Sequence, residues 1–339
     1  MVIDKEVFLP PRGTEQMPSP RCFGDRWEVI QPIDEGGQSY IYKVKDRNGE
    51  YSGQFVLKRL KNHKRLDRFE REVKSVQQLH HPSIATILDY SLKEPAFFVT
   101  KFYEGGSLID RAPLPLLSAL DLFIKLCDAI AYAHKHGVIH RDLKPDIVVL
   151  EKTGVPVIID FGLCYIEEED KRLTATIEQV GSRFYMAPEL EGGRVDSVTE
   201  KVDSYALGKI LYFLLSGRHI PREAFGEEND LVKVCSEDQL GYISDRLLAH
   251  TIVEDTQGRK SVAELGEEAN KVKRLIIEHY HPGMEGSLCR FCGEGRYGKM
   301  TTSIIRIREP EIGLEHSVTF KILLCDKCGN VQWFRPESK

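Results

Sequence analysis

The sequence predicts an α+β protein with a small β-rich lobe, a larger helical lobe and a small carboxy-terminal β module. Residues 27 to about 102 contain short alternating runs of β-branched and aromatic residues, which turns such as Asn48-Gly49 interrupt, and this pattern is typical of strands. A single helical pattern spans residues 65–79 in this region. From residue 114 to about 273 the apolar residues recur at helical spacing, and short strand patterns return after residue 283.

The predicted domain limits follow these changes of pattern. Residues 1–25 are rich in Pro and Gly and are expected to form a loosely ordered lead-in. The main domain is predicted over residues 26–275, with the β-rich lobe at about 26–103 and the helical lobe at about 107–275. Residues 276–339 are predicted to form a linker and the carboxy-terminal module.

The composition is that of an ordinary soluble protein. The 339 residues carry a formal net charge of -5, with 29% charged and 41% hydrophobic residues, and this balance does not favour polyanionic partners. The longest apolar run, residues 210–215, is too short to cross a bilayer. The first residues lack a basic start followed by an apolar stretch. We therefore expect a cytoplasmic protein without disulfides and without a membrane partner.

Three motifs in the helical lobe carry a family resemblance. Residues 140–147 read HRDLKPDI, Asp160-Phe161-Gly162 follows a predicted apolar strand at 156–159, and Ala187-Pro188-Glu189 comes later. In these motifs and their order the chain resembles the eukaryotic-type (Hanks-type) Ser/Thr protein kinase family over residues 27–273. The resemblance implies a bilobal protein-kinase-like fold that transfers the γ-phosphate of ATP to Ser/Thr hydroxyls of proteins.

The resemblance also implies roles for individual residues of the helical lobe. Asp142 would be the catalytic base, Lys144 would steady the transferred phosphate as in the Ser/Thr branch, and Asp160 would bind Mg²⁺. Structural roles are implied for three residues, Glu189, Asp203 and Arg259. A regulatory phosphate on Thr174 or Thr176 would bind Arg141 of the catalytic loop and activate the domain.

The β-rich lobe resembles the family's ATP-binding half. Residues 33–41 resemble the glycine-rich hairpin, in which backbone N–H groups approach the phosphates. Lys58 would contact the α- and β-phosphates, with Glu72 of the following helix as its ion-pair partner. The residues implied to bind ATP are Gly36, Gly37, Ile41, Val56, Lys58, Thr100, Lys101 and Tyr103. The alternative interpretation of these segments is a plain hairpin with solvated surface charges.

Ile147 departs from the family pattern, which has Asn at this position to help hold a magnesium ion. Asp34 stands at the first glycine position, and Val56 replaces the usual Ala beside the adenine. Two interpretations are therefore open. The chain is a kinase that uses ATP with Mg²⁺, or with Mn²⁺, at a reduced rate. Alternatively it is a pseudokinase, a nucleotide-binding or non-catalytic scaffold.

Two identical cysteine spacings predict a metal site in the carboxy-terminal module. Each Cys-x-x-Cys-Gly knuckle supplies two thiolates, and the four cysteines are Cys289, Cys292, Cys325 and Cys328. Four thiolates favour one tetrahedral Zn²⁺ in a zinc ribbon, with a redox dithiol or an iron site as the alternative. The basic residues of the module are interrupted by Glu294, Glu309 and Glu311. We therefore expect a protein partner rather than a nucleic acid.

Overall fold

The structure, a computed structural model, forms two compact units. It describes residues 22–35, 38–161, 165–166, 184–191, 198–220, 229–235, 240–278, 296, 301–308, 315–324, 326–327 and 331–334. The first unit comprises residues 22–70 and 87–102, and the second comprises residues 71–86 and the described residues from 103 onward. Within these ranges, no helix has the length and apolarity needed to cross a membrane.

An antiparallel sheet forms most of the first unit. Its six strands lie in the order β1, β2, β3, β4, β6 and β5. Their bounds are β1 Cys22–Phe23, β2 Trp27–Glu35, β3 Ser39–Asp46, β4 Phe55–Leu60, β5 Ile87–Ser91 and β6 Phe97–Lys101. Between β4 and β5 the chain forms α1, Leu66–Gln77, where the sequence predicts a helix over 65–79. This arrangement agrees with the predicted β-rich region.

Alternate strand residues bury one face of this sheet. The buried cluster consists of Phe23, Trp27, Tyr42, Val44, Phe55, Leu57, Phe97 and Val99. Trp27 is fixed there by a hydrogen bond of 2.6 Å from its Nε1 to Oδ2 of Asp89 on β5. Because successive side chains of a strand point to opposite faces, the residues between these cluster members lie on the other face.

Helices form most of the second unit. They are α2 Leu116–Lys135, α3 Pro188–Glu191, α4 Lys201–Ser216, α5 Leu231–Cys235, α6 Leu240–Arg246 and α7 Val262–Glu278. Helix α4 packs against α2 and α7, and all of its residues from Val202 to Leu215 are buried. The apolar run at 210–215 belongs to this helix, and its burial accounts for its composition.

Two short antiparallel strand pairings in the second unit frame the predicted catalytic loop. Strand β7, Val138–Ile139, precedes the loop and pairs with β10, Tyr165–Ile166. Strand β8, Val148–Leu150, follows the loop and pairs with β9, Pro156–Ile158. On its other side β9 is bonded to residues 83–85, because Ile158 donates to the Ser83 carbonyl and accepts from Ala85, both at 2.9 Å. Strand β9 is therefore held from both sides.

A three-stranded antiparallel sheet lies near the carboxy terminus. Its strands are β11 Thr301–Arg308, β12 Glu315–Leu324 and β13 Val331–Phe334, with β12 in the centre. Strands β11 and β12 lie where the sequence predicts strands. The predicted zinc ligands Cys289, Cys292, Cys325 and Cys328 lie outside the described residues.

Candidate active site

Four predicted ATP-binding residues lie on one face of the first unit's sheet. Strand β4 lies between β3 and β6, and the register pairs Ile41 with Lys58 and Val56 with Thr100. Side-chain alternation therefore puts these four residues opposite the buried aromatic cluster. Lys58 Nζ lies 5.5 Å from the centre of the Phe98 ring, its direct neighbour on β6. This face presents an ammonium group among apolar side chains, which suits an anionic ligand with a flat apolar part.

The end of β6 leads into the predicted hinge. Lys101 is the last residue of β6 and is exposed, and the Phe102 N–H donates to the Gln54 carbonyl at 3.1 Å. The Phe102 ring also lies 4.1 Å from Lys43 Nζ, a sheet residue that sequence reasoning did not single out. Burial, with a smaller contribution from the charge of Glu151, raises the pKa of Tyr103 to about 12, so its hydroxyl remains protonated at neutral pH.

Three further predicted residues of the ATP-binding half remain, Gly36, Gly37 and Glu72. Gly36 and Gly37 lie outside the described residues. Glu72 lies on α1 and is buried. Its predicted pairing with Lys58 stays a prediction.

Asp203 anchors the predicted catalytic loop from the first turn of α4. Its Oδ2 accepts the backbone N–H of His140 and its Oδ1 accepts that of Arg141, each at 2.8 Å. Arg141 has a φ of 69°, a left-handed conformation that is unfavourable for a residue with a side chain. The two hydrogen bonds hold this turn in place, and Asp142 follows it directly.

His134 is a third partner of Asp203, and sequence reasoning missed it. Its Nε2 lies 2.8 Å from Oδ2 of Asp203. Burial pushes the pKa of Asp203 upward, but the hydrogen bond and charge of His134 and the contacts with His140 outweigh it and hold that pKa below its ordinary value. The available signal was a histidine four residues after Ile130, on the apolar stripe of α2.

Asp142 and Lys144 form a close pair at the surface of the loop. Lys144 Nζ lies 3.2 Å from Oδ2 of Asp142, with side-chain exposures of 15% and 23%. The Asp142 backbone N–H donates to Nδ1 of His140 at 3.3 Å. A partly exposed carboxylate can accept a proton from a hydroxyl, and an adjacent ammonium group can stabilise a negatively charged oxygen.

A backbone hydrogen bond joins Ile147 to Ile159, the residue before Asp160. Asp160 lies two residues after the end of β9 and is partly exposed. The Ile159 N–H donates to the Ile147 carbonyl at 3.0 Å, so the end of the catalytic loop and the start of the Asp160 segment are fixed to each other. The Ile147 side chain is 7% exposed and carries no oxygen that a metal ion requires.

His140 packs inside the site. Its ring centre lies 4.6 Å from that of Phe161, the residue after Asp160, and both side chains are buried. Burial lowers the pKa of His140, although the charges of the nearby aspartates oppose this effect. The imidazole is therefore neutral at physiological pH and accepts the Asp142 N–H described above.

Glu189 and Arg259 form a buried ion pair. Arg259 Nη1 and Nη2 donate to the two carboxylate oxygens of Glu189 at 2.6 and 3.0 Å. The Arg259 side chain is 0% exposed and that of Glu189 is 14% exposed. Arg259 also donates from Nε to the Val253 carbonyl at 3.0 Å and lies over the Tyr205 ring of α4. The pair therefore attaches α3 to the region around α4.

The predicted regulatory threonines and the predicted zinc ligands lie outside the described residues. Thr174 and Thr176 lie outside the described residues, so their link to Arg141 stays a prediction. In the part of the chain that the structure describes, no cluster of three or more His, Cys, Asp or Glu side chains is arranged to hold a metal ion.

Comparisons with known proteins identify related sequences. The family model described as protein kinase domain matches residues 27–273. The DNA damage-responsive serine/threonine-protein kinase RqkA of Deinococcus radiodurans is 34% identical over 204 residues, covering 57% of this chain and 30% of that protein. The serine/threonine-protein kinase PknB of Mycobacterium leprae is 29% identical over 215 residues, covering 59% of this chain and 34% of that protein. The matched segment thus spans about a third of these relatives.

Proposed function

Because its residues 27–273 match the family model, this chain belongs to the protein kinase domain family, and we propose that it transfers the γ-phosphate of ATP to serine and threonine hydroxyls of proteins. The observation that carries this proposal is the Asp142–Lys144 pair on a loop whose backbone Asp203 fixes. Relatives that are named serine/threonine-protein kinases support it.

The residues of the site suit the steps of this transfer. Asp142 orients the substrate hydroxyl and takes its proton, while Lys144 neutralises charge on the transferred phosphoryl group. Lys58, with Glu72 as its partner, holds the α- and β-phosphates, and the apolar residues around it receive the adenine. Phosphoryl transfer depends mainly on positioning and charge neutralisation, so an anchored loop is the feature it needs most.

Asp160 fits the role of magnesium ligand. Its carboxylate is partly exposed at the end of a strand held from both sides, and hard cations prefer oxygen ligands. A bound Mg²⁺ would neutralise charge on the phosphates of ATP. The Ile147 side chain supplies no oxygen, so the described part of the loop offers one fewer metal contact than the family pattern. We therefore expect a slower enzyme that tolerates Mn²⁺.

The buried Ile147 side chain favours a second candidate function, a nucleotide-binding scaffold without transfer activity. The two candidates differ in one measurable property, the production of phosphoserine and phosphothreonine. We would incubate the full chain with labelled ATP and a generic basic protein, and identify the modified residues by mass spectrometry.

Two matched variants separate a catalytic carboxylate from a general charge effect. Asp142→Asn should abolish the signal, because it removes the proton acceptor. Asp146→Asn makes the same change on an exposed residue of the same loop and should leave most of the signal. Equal losses in both variants, or phosphotyrosine as the main product, would contradict the proposal.

We propose in addition that the carboxy-terminal module binds one Zn²⁺ through the four cysteines. A contact between the two knuckle regions supports this proposal. The Arg296 N–H donates to Asp326 Oδ1 at 2.8 Å, and the Asp326 N–H donates to the Arg296 carbonyl at 3.1 Å. Arg296 follows Cys292 by four residues, and Asp326 lies between Cys325 and Cys328.

The module then serves as a docking surface for a protein partner or substrate, and the metal carries its folding because so short a segment buries little core. Elemental analysis of the purified chain should find one zinc per molecule. Cys325→Ser should lose it, whereas Cys235→Ser, a change in α5, should keep it. Iron in place of zinc, or zinc retained in Cys325→Ser, would show that the assignment is wrong.

A further inference from the structure

The first strand of the predicted ATP-binding hairpin is weakly attached to the sheet. Strand β2 pairs with β1 at Trp27 and Glu28, and the described residues that follow these two pair with β3 alone. The pairing with β3 is irregular at two places, and Pro32 has no N–H to donate. Residues 30–35 are all exposed. This end of β2 therefore gains order from any further contact that reaches it.

Lys61 supplies such a contact from the position directly after β4. Its backbone N–H donates to the Gln38 carbonyl at 3.0 Å. Its Nζ lies 2.7 Å from Oε1 of Glu35, the last residue of β2, and 4.5 Å from the centre of the Tyr40 ring on β3. One residue thus contacts both strands of the hairpin, and its side chain crosses β3 to reach β2.

The contacts of the Lys61 side chain lie on the face of the sheet opposite to the predicted ATP-binding residues. Glu35 and Tyr40 are directly paired, so their side chains share a face. Tyr40 packs against the buried aromatic cluster, whereas Ile41, the next residue along β3, lies on the other face. Lys61 therefore holds the hairpin from one side and leaves the side that receives ATP open.

These contacts are weak individually and act on a segment that is itself easily opened. The exposed fractions of the Lys61 and Glu35 side chains are 20% and 43%, and exposed ion pairs and cation–π contacts each contribute little to the stability of a whole domain. Opening of a loosely paired strand end costs little free energy too. Contacts of this size are therefore sufficient to change how often the hairpin is ordered.

We propose that Lys61 is a positioning residue for ATP binding, which fixes the end of β2 to β3 and thereby keeps the hairpin ordered before the nucleotide arrives. A hairpin that is already ordered loses less conformational entropy when ATP binds. Lys61 also neutralises the Glu35 carboxylate on a hairpin that receives phosphates. The effect on ATP rests on the proposed function, whereas the effect on the order of the hairpin does not.

Three variants of the full chain test this role. Lys61→Gln removes the ammonium group and keeps a polar side chain and the backbone bond to Gln38. Lys61→Arg keeps a positive charge that reaches Glu35 and the Tyr40 ring. Lys45→Gln is the matched control, because Lys45 pairs with Glu28 at 3.1 Å across the same two strands at their other end.

The measurements are amide hydrogen exchange at residues 33–35 and 38–41 without nucleotide, the Kd for ATP with Mg²⁺ by calorimetry, and kcat. In Lys61→Gln the exchange should accelerate, and the Kd should increase roughly 3- to 10-fold. The value of kcat should stay within about twofold of the parent, since the catalytic loop is unchanged. Lys61→Arg should recover most of the order and affinity, and Lys45→Gln should resemble the parent chain.

The outcomes separate the two claims. Parent-like exchange of the hairpin in Lys61→Gln would overturn the inference, whatever the affinity. Equal acceleration in Lys61→Gln and Lys45→Gln would overturn it as well, because the position of the lysine would then be irrelevant. Accelerated exchange with an unchanged Kd would overturn the role in ATP binding. A parent chain that binds no ATP would refute the proposed function, while the exchange comparison still decides whether Lys61 orders the hairpin.

Discussion

Ile147 lies in the chain between the Asp142–Lys144 pair and Asp160, and its backbone forms a hydrogen bond on each side. Its N–H donates to the Lys144 carbonyl at 3.3 Å, and its carbonyl accepts the Ile159 N–H at 3.0 Å. Any residue type except proline makes these two bonds. The identity of the side chain therefore affects metal binding and packing without setting the path of the loop.

The substitution Ile147→Asn separates these two effects. It restores an amide oxygen for the metal, so transfer at limiting Mg²⁺ should increase. It also places a polar group at a buried position, which should lower the free energy of unfolding by about 1–3 kcal/mol. Transfer assays over a Mg²⁺ series and urea unfolding measure the two effects. Ile147→Val is the control, with little change in rate, and an unchanged rate in folded Ile147→Asn would count against a metal deficit.

The neutral, buried His140 predicts a pH dependence of stability. Its pKa in the folded protein lies below the ordinary value of 6.5, chiefly because of burial. Between the folded and unfolded pKa values the unfolded chain binds more protons, so the His140 contribution to stability is complete above 6.5 and is lost as the pH falls through this window.

The variant His140→Phe keeps a ring for packing against Phe161 and removes the titration. Its urea unfolding free energy should therefore decrease less than that of the parent chain between pH 7 and pH 5. The other histidines are common to both proteins and cancel in the difference. Parallel pH profiles would mean that burial does not control the protonation of His140.

Helix α4 brings the parts of the second unit together. It carries Asp203 in its first turn and Tyr205 beneath Arg259, and its Lys209 Nζ donates to the Ile220 carbonyl. The two buried charged side chains of this helix, Asp203 and Lys209, each have a hydrogen-bond partner in the chain around it, as buried charges generally require. The loop that holds Asp142 and the helix that holds Glu189 are attached to this one element.

The ion pair at α3 should be much more important for stability than a surface pair. Glu189→Ala leaves the buried Arg259 charge without its carboxylate, and should lower the free energy of unfolding by about 3–5 kcal/mol. Glu28→Ala is the matched control, because Glu28 pairs with Lys45 at 3.1 Å on the exposed surface and should cost about 0–1 kcal/mol. Similar losses in the two variants, measured by urea unfolding, would contradict the structural role of Arg259.

The elements were predictable wherever a pattern within one segment determines them. The alternation of apolar and polar residues predicts β3 and β4. It also puts Lys58 on the opposite face of the sheet from its buried neighbour Leu57. The helical spacing predicts α2 and puts His134 on its apolar stripe, although it does not identify the partner of His134. The importance of His134 depends on Asp203, which is distant in sequence, and no local pattern contains that contact. Lys43 was missed for the same reason, since its partner Phe102 lies beyond the end of β6.

At the scale of the molecule, the chain combines a family domain with an additional sheet. The β-sheet unit and the helical elements fit the two lobes of a protein kinase, and the family match ends at residue 273. Strands β11 to β13 lie beyond it. The sequence predicted strands at β11 and β12 but not at β13, and the contact between Arg296 and Asp326 required the three-dimensional structure.

If zinc stabilises this sheet, its removal should affect the module more than the kinase domain. Chelation of the full chain should accelerate amide hydrogen exchange at residues 301–308 and 315–324, because the metal carries the folding of so small a segment. Exchange in the buried helix α4 should change little. A chelated protein whose exchange at β11 and β12 matches that of the metal-loaded protein would show that zinc has no structural role there.

Phosphate transfer from labelled ATP by the full chain tests the central claim most directly, with Mg²⁺ and then Mn²⁺ and with Asp160→Ala as the blank. The site described here predicts transfer above the blank with Mg²⁺, and a larger signal with Mn²⁺, because Asp142, Lys144 and Asp160 are present whereas Ile147 removes one metal contact. Folded protein that gives no transfer above the blank with either metal would contradict the kinase assignment. The chain would then be a non-catalytic member of its family.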